Sequence, residues 1–246
     1  MSNINVLKRD GTQEQLNLEK VHKMVEFACE GLAGVSESQV EIQSQLQFCD
    51  GIKSSDIQEI LIRSASDLIS EEHPNYQYVA ARLLLFGLRK AVHGHPEILP
   101  PLLEHIKGCV DKGVYDGTIV NRYSEEEWDR INSFVEHERD YLFTYAGLRQ
   151  VVDKYLVQDR STGQHYESPQ QMYIMIAATL FANYPTETRL DYVRRYYNAI
   201  STHKINIPTP IMGGVRTPIR QFASCVLVDI DDTLDSIFSS DMAIGK

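Results

Sequence analysis

Residues 225–237 read CVLVDIDDTLDSI, an apolar run of strand type that closes on Asp229-x-Asp231-x-Thr233 and enters a helical pattern. Taken alone, that spacing fits the nucleophile loop of an aspartate-dependent phosphatase. Asp229 would attack phosphorus and Asp231 would move the proton, beside a magnesium ion. Such a site draws its phosphate-binding hydroxyl, its lysine and a further acidic pair from later strands, and only residues 234–246 follow. The same stretch reads equally well as a strand and the start of a helix, a βα unit still lacking its next strand. A lone strand of this kind leaves its edges and apolar faces without partners.

Upstream, KINIPTPIMGGVRTPIRQ (204–221) is rich in Pro and Gly and reads as loop. Before it the chain is mainly helical. Ser124-x-x-Glu127 is a capping box opening a helix with the single tryptophan, Trp128. YLVQDRSTGQHYES (155–168) reads as two short strands about Thr162-Gly163. Ser168-Pro169-x-Gln171 starts a strongly apolar helix, with proline where its missing N–H is harmless. Another helix is predicted over about 187–200.

At the other end, INVLKR (4–9) and TQEQL (12–16) flank Asp10-Gly11, a dipeptide suited to a hairpin turn. Asn17 is placed to cap a helix whose inward stripe is Val21, Met24, Val25, Ala28 and Leu32. A shorter helix is predicted over 37–47. Ser55-x-x-Gln58 suggests a second capping box, with Ile57, Ile60, Leu61, Ala65 and Leu68 facing the core. EEHPN breaks the chain before YQYVAARLLLFGLRKAV (76–92), apolar enough to lie centrally. HGHPEILPP (93–101) has the composition of a linker. Three units are therefore expected: a hairpin-capped helical bundle over 1–95, a helical domain over 96–220, and a first strand with the start of its helix over 221–246.

The formal charge of −10 argues against a nucleic-acid-binding surface. Cys29, Cys49, Cys109 and Cys225 show neither CxxC spacing nor the density of a disulfide scaffold. No apolar run has the length of a membrane span, and the first residues lack a signal-peptide layout. A soluble cytoplasmic protein is expected, with no membrane and no nucleic-acid partner. His93-x-His95 has no further ligands at metal spacing, so a linker role is expected and no metal is assigned.

Several stretches together resemble the large, catalytic α subunit of class Ia ribonucleotide reductase: VLKRDGTQEQLNLEKVH, FCDGIKSSDIQE, YQYVAARLLLFGLRK, DRSTGQHYES, NYPTETRLDYVRRYY and the run from Lys204 to Ile237. They cover essentially the whole chain, in order, and correspond to about the first third of such a subunit. The resemblance implies a mainly α fold with small β elements: an ATP cone, then a helical domain, then the first βα unit of a ten-stranded α/β barrel. In the cone it implies an activity site for ATP or dATP at Lys8, Arg9, Glu14, Asn17, Lys20, Ser54, Gln58, Arg89 and Lys90. Hairpin cations and a capped helix start suit phosphates. Gln58 stands where bacterial relatives commonly carry His, a departure that bears on dATP inhibition.

The resemblance further implies that Cys225 is one of two thiols that reduce the substrate ribose and become a disulfide in each turnover. Thr209 and Ser224 match positions near the substrate diphosphate. Asp232-Thr233-Leu234 matches the turn of a specificity site for a dTTP-type effector, with Asp232 on the sugar and no catalytic role for Asp229 or Asp231. The expected partners are a C-terminal fragment of the α subunit, a second α subunit, a β subunit with a diiron-tyrosyl radical, and a thioredoxin- or glutaredoxin-type reductant. The chain is accordingly expected to be a component of a reductase whose α subunit is either naturally split or truncated. A stand-alone ATP/dATP-binding module is one alternative, and a haloacid-dehalogenase-like phosphatase using Asp229 and Asp231 is the other.

Overall fold

The structure, a computed structural model, describes residues 4–8 and 11–245. It is mainly helical, with two small sheets. β1 (Asn5–Leu7) pairs antiparallel with β2 (Gln13–Gln15), Val6 opposite Glu14. The hairpin lies where Asp10-Gly11 predicts it; Asp10 is outside the described residues, and Gly11 has the positive φ of 83° that a tight turn requires. A third strand, β3 (Ile52–Lys53), adds parallel to β1, with Val6 opposite Ile52. Two residues are too short for an alternation pattern, and the sequence gives no sign of it.

α1 (Leu18–Cys29) starts at Asn17, whose side chain accepts from the Lys20 N–H at 3.1 Å. α2 (Glu37–Gln45) and α3 (Ser54–Asp67) follow, then α4 (Tyr76–His93), closed by Gly94 in the left-handed region at φ 77°. α4 is the central helix. Val79, Ala80, Leu83 and Leu84 are buried along it. α1 and α3 pack on one side of α4, while the 3₁₀ turn His137–Leu142 and α7 (Tyr145–Gln150) pack on the other. The segment after His93 is therefore no free tether: the helix preceding it already belongs to both halves.

The second half contains α5 (Leu102–Asp111), α6 (Glu125–Asn132), α8 (Pro169–Phe181) and α9 (Thr186–Ser201). The capping box at Ser124 is formed, and at the predicted helix start Ser168 the Gln171 side chain accepts from the Ser168 N–H at 2.9 Å. α8 is buried all round from Met172 to Ala178, the pattern of a helix in the middle of a core. β4 (Gln158–Asp159) and β5 (Gln164–His165) form the expected small hairpin.

Three local expectations differ. The box at Ser55 is not formed: α3 begins at Ser54 without a side-chain cap, and Gln58 donates instead to the Leu83 carbonyl at 2.7 Å. The Pro-rich stretch expected as loop holds a short helix, α10 (Thr209–Gly214), because Pro210 falls in its first turn. The apolar run CVLV forms no strand. Among the described residues it has no neighbour to complete a ladder, and Val226 and Leu227 are 81% and 97% exposed. α11 (Leu234–Ile244) follows as predicted, and Leu234, Phe238, Met242 and Ile244 are exposed on it.

Candidate functional site

A cleft of about 430 Å³ opens where the hairpin, α1, α3 and α4 meet. Lys8 comes from the end of β1, Glu14 from β2, Asn17 and Lys20 from the start of α1, Ser54 and Gln58 from the first turns of α3, and Lys90 from the last turn of α4. Val21, Met24, Phe27, Ile57 and Phe86 give it an apolar wall. A second hollow of about 400 Å³ shares Lys8, Glu14, Ser54, Gln58 and Lys90 and extends the first toward Thr12 and Gly87.

The electrostatics are organised about Glu14. Its carboxylate meets Lys8 at 2.6 Å and Lys20 at 3.7 Å. The Lys8 hydrogen bond, with the charges of Lys8 and Lys20, holds the Glu14 pKa below its ordinary value against the opposing effect of desolvation. Two helix N-termini face the same space. That of α1 is capped by Asn17, whereas α3 has no side-chain cap, so its first N–H groups keep their affinity for an anion. A cleft with cations at the rim, an uncapped helix start and an aromatic wall suits a ligand with a flat apolar ring and a phosphate chain.

Seven of the nine residues expected at the activity site thus come together: Lys8, Glu14, Asn17, Lys20, Ser54, Gln58 and Lys90. Arg9 lies outside the described residues. Arg89 is a correction. One residue before Lys90, it leaves the helix on a different side and is 4% exposed, with its guanidinium on Asp140 at 2.7 Å. Helical repeat alone separates the two neighbours. Phe86, Phe27 and Met24 are wall residues that sequence reasoning missed; their helical spacing resembles that of core positions. His95, also at the cleft, accepts through Nδ1 from the N–H groups of Glu97 and Ile98, both at 3.1 Å.

The residues expected to meet substrate lie apart from this cleft. Thr209 opens α10, exposed, with its Oγ1 3.4 Å from the Tyr155 hydroxyl. Ser224 and Cys225 are exposed neighbours, Oγ and Sγ 3.7 Å apart. Asp232 is exposed, Thr233 caps α11 by accepting from the Ser236 N–H at 3.2 Å, and Leu234 is 71% exposed. Asp229 and Asp231 lie on the same exposed stretch. Among the described residues no group of three His, Cys, Asp or Glu side chains could hold a metal ion. No helix among them is long and apolar enough to cross a membrane.

Comparison with known proteins covers both halves. Residues 4–91 match the ATP cone domain, and residues 141–220 match the ribonucleotide reductase all-alpha domain. The chain is 54% identical over 98% of its length to the ribonucleoside-diphosphate reductase subunit alpha of Haemophilus influenzae. It is 53% identical over 99% of its length to the ribonucleoside-diphosphate reductase 1 subunit alpha of Escherichia coli, and 44% identical to the subunit alpha of phage T4. It spans 32% of the length of each of these relatives.

Proposed function

We propose that the chain, which matches the ATP cone domain over residues 4–91 and the ribonucleotide reductase all-alpha domain over 141–220, is the nucleotide-sensing N-terminal component of a ribonucleoside-diphosphate reductase. The observation that carries the sensing role is the convergence of Lys8, Lys20, Lys90, Asn17, Ser54 and Gln58 on one cleft from four separate elements. The cleft takes ATP or dATP. The lysines and the start of α3 hold the phosphates, and Phe27, Phe86 and Met24 face the base. Isothermal calorimetry of the chain with each nucleotide tests this. Saturable binding that weakens at least about tenfold in Lys8→Ala supports it, since a charge-assisted contact is worth about 1.5–3 kcal/mol. Absence of binding to either nucleotide overturns it.

The catalytic role rests on Cys225, which in this reading supplies one thiol of a redox pair. The thiols give two electrons to the ribose and return as a disulfide that an external dithiol reduces. Thr209 and Ser224 hold the substrate diphosphate, and Asp232 with Thr233 and Leu234 reads a dTTP-type effector. The second thiol, the radical and the remaining barrel strands come from the rest of an α subunit and from a β subunit with a diiron-tyrosyl centre. The exposed apolar side chains from Val226 to Ile244 are the surface that this remainder covers, and they favour a component over a stand-alone nucleotide-binding module. The test is CDP reduction by the chain mixed with a C-terminal α fragment and β. Activity that requires the chain and is lost in Cys225→Ser is expected. Full activity without the chain overturns the proposal.

A further inference from the structure

Phe86 and Lys90 turn one side of α4 to the cleft, and the other side of the same two turns is buried against the second half. Arg89 leads there. Its Nη2 donates to the His137 carbonyl at 2.6 Å and to Asp140 Oδ2 at 2.7 Å. The other oxygen of Asp140 accepts from Gln170 Nε2 at 2.9 Å, and Gln170 Oε1 accepts from the Tyr197 hydroxyl at 2.7 Å. That hydroxyl accepts from the Glu136 N–H at 2.9 Å. Asp140, Gln170 and Tyr197 are each no more than 1% exposed. One dry run of directional bonds thus joins α4 to the turn His137–Leu142, α8 and α9.

The turn touches the cleft by a second route. Phe27, a wall residue on α1, meets the Tyr141 ring edge-on at 6.0 Å between centroids. Arg82 and Arg89 both lie over that ring, at 5.7 and 5.6 Å. Arg82 also donates to the carbonyls of Ala28 and Glu30, at 3.2 and 2.6 Å, at the far end of α1. A ligand seated against Phe27 and Phe86 therefore presses on two helices that both rest on Tyr141.

The junction also holds hydrogen-bonding capacity that this arrangement leaves unused. Among the described residues, Arg89 Nε and His137 Nδ1 are buried there without a partner. Buried polar atoms without partners are unfavourable where they stand, and a small shift of α4 would offer them others. Those are the conditions for two discrete arrangements.

We propose that nucleotide occupancy of the cleft is passed to α8 and α9 through the Arg89–Asp140 pair, with the turn His137–Leu142 as the element that changes state. The proposal rests on the reading of the cleft as a nucleotide site. It accounts for the position of Arg89, adjacent in sequence to the phosphate-binding lysine yet facing away from it.

Hydrogen–deuterium exchange of the full chain, with and without saturating ATP, tests it. In the wild type, ATP slows exchange at residues 13–24 and 54–60 and also alters exchange at 137–142 and 169–178. Asp140→Asn turns an amide N–H toward a donor and breaks the run. Tyr197→Phe removes one hydroxyl without leaving a charge unpaired. In both variants the changes at the cleft persist and those at 137–142 and 169–178 fall by at least about fivefold, the lower end of the coupling usual between two sites. Should Asp140→Asn unfold the junction before ATP is added, Tyr197→Phe decides alone. The relay is overturned if ATP protects the cleft and nothing beyond it, or if the folded variants transmit the change undiminished. Failure of ATP to protect even the cleft is a different result: it removes the nucleotide reading, and the relay with it.

Discussion

Arg216 grips both carboxylate oxygens of Glu167, 49 residues away, with neither side chain exposed to solvent. Glu167 is left with no acceptor site to spare. Glu167 also accepts from the Tyr115 hydroxyl and from the Val157 N–H, while Arg216 donates to the carbonyls of Met212 and Tyr155. The Arg216 carbonyl accepts from the Asp116 N–H at 2.9 Å, and Arg220 returns to Asp116 Oδ2 at 2.7 Å. The chain between Thr209 and Cys225 is thus fastened to the helical core just before it becomes exposed.

Removing one partner of a fully buried ion pair leaves an uncompensated charge, which costs about 3–5 kcal/mol. Glu167→Gln is accordingly expected to lower unfolding stability by that amount in urea titrations. Replacing both residues by apolar ones of similar volume is expected to cost much less. A loss below about 1 kcal/mol in Glu167→Gln would show that water reaches the pair.

The thiols should divide two and two. Cys29 and Cys109 are buried, and desolvation pushes their pKa up to about 11 and about 12. Cys49 and Cys225 are exposed. Since the thiolate is the reactive form, an aromatic disulfide reagent at mildly alkaline pH should titrate two groups rapidly and two only on unfolding. Cys225→Ser should remove one of the fast pair. Rapid titration of all four would contradict the burial of Cys29 and Cys109.

Most elements were legible because their signals are local. Asn17 and Ser124 each mark a helix start through a side chain that accepts from a backbone N–H three residues on, and at Ser168 the Gln171 side chain accepts from the Ser168 N–H. The cleft was legible only through the family resemblance, since no local pattern brings Lys8, Ser54 and Lys90 together. The misses share a cause, which is dependence on distant partners. β3 exists because Val6 and Leu7 offer it an edge, and Gln58 abandons its cap for a carbonyl on α4. The CVLV run has strand composition without a strand to pair with, so composition alone could not settle its state.

Gly87 gives the cleft a sensitive point. A Cβ there would stand 3.0 Å from Gln58 Cγ, while Gln58 is held by the Leu83 carbonyl. Gly87→Ala should displace Gln58 toward the ligand space and weaken nucleotide binding severalfold. Overall stability should change little, because alanine favours the helix by up to about 1 kcal/mol and offsets the crowding. Unchanged affinity in calorimetry would place Gln58 outside the binding surface.

Acid should loosen the junction before it loosens the rest. His93, His105 and His137 gather where α4 meets the second half, with the rings of His93 and His105 5.7 Å apart. Burial pushes each from 6.5 down to about 4, and the Arg89 guanidinium adds to this at His93 and His137. A base depressed in the folded state binds its proton more readily when unfolded. Stability is therefore complete above about pH 6.5, falls as the pH drops through that window, and stops falling from this cause below about 4. His22 acts with the opposite sign, because the Glu41 hydrogen bond raises its pKa; that pair is solvent-exposed, so its effect is small. Glu127 and Asp116 are lowered, by Arg189 and by hydrogen bonds from Thr118 in addition to Arg220, and their contribution is lost only at still lower pH. Asp140, raised by desolvation, works against the histidines as it gains its proton. Thermal unfolding followed from pH 7.5 to 4.5 should show the midpoint falling most steeply below pH 6.5. In His93→Gln the slope should shrink by about a third, as one of three proton-binding groups is removed. A midpoint flat from pH 7 to 5 would mean that these histidines are already solvated in the folded chain.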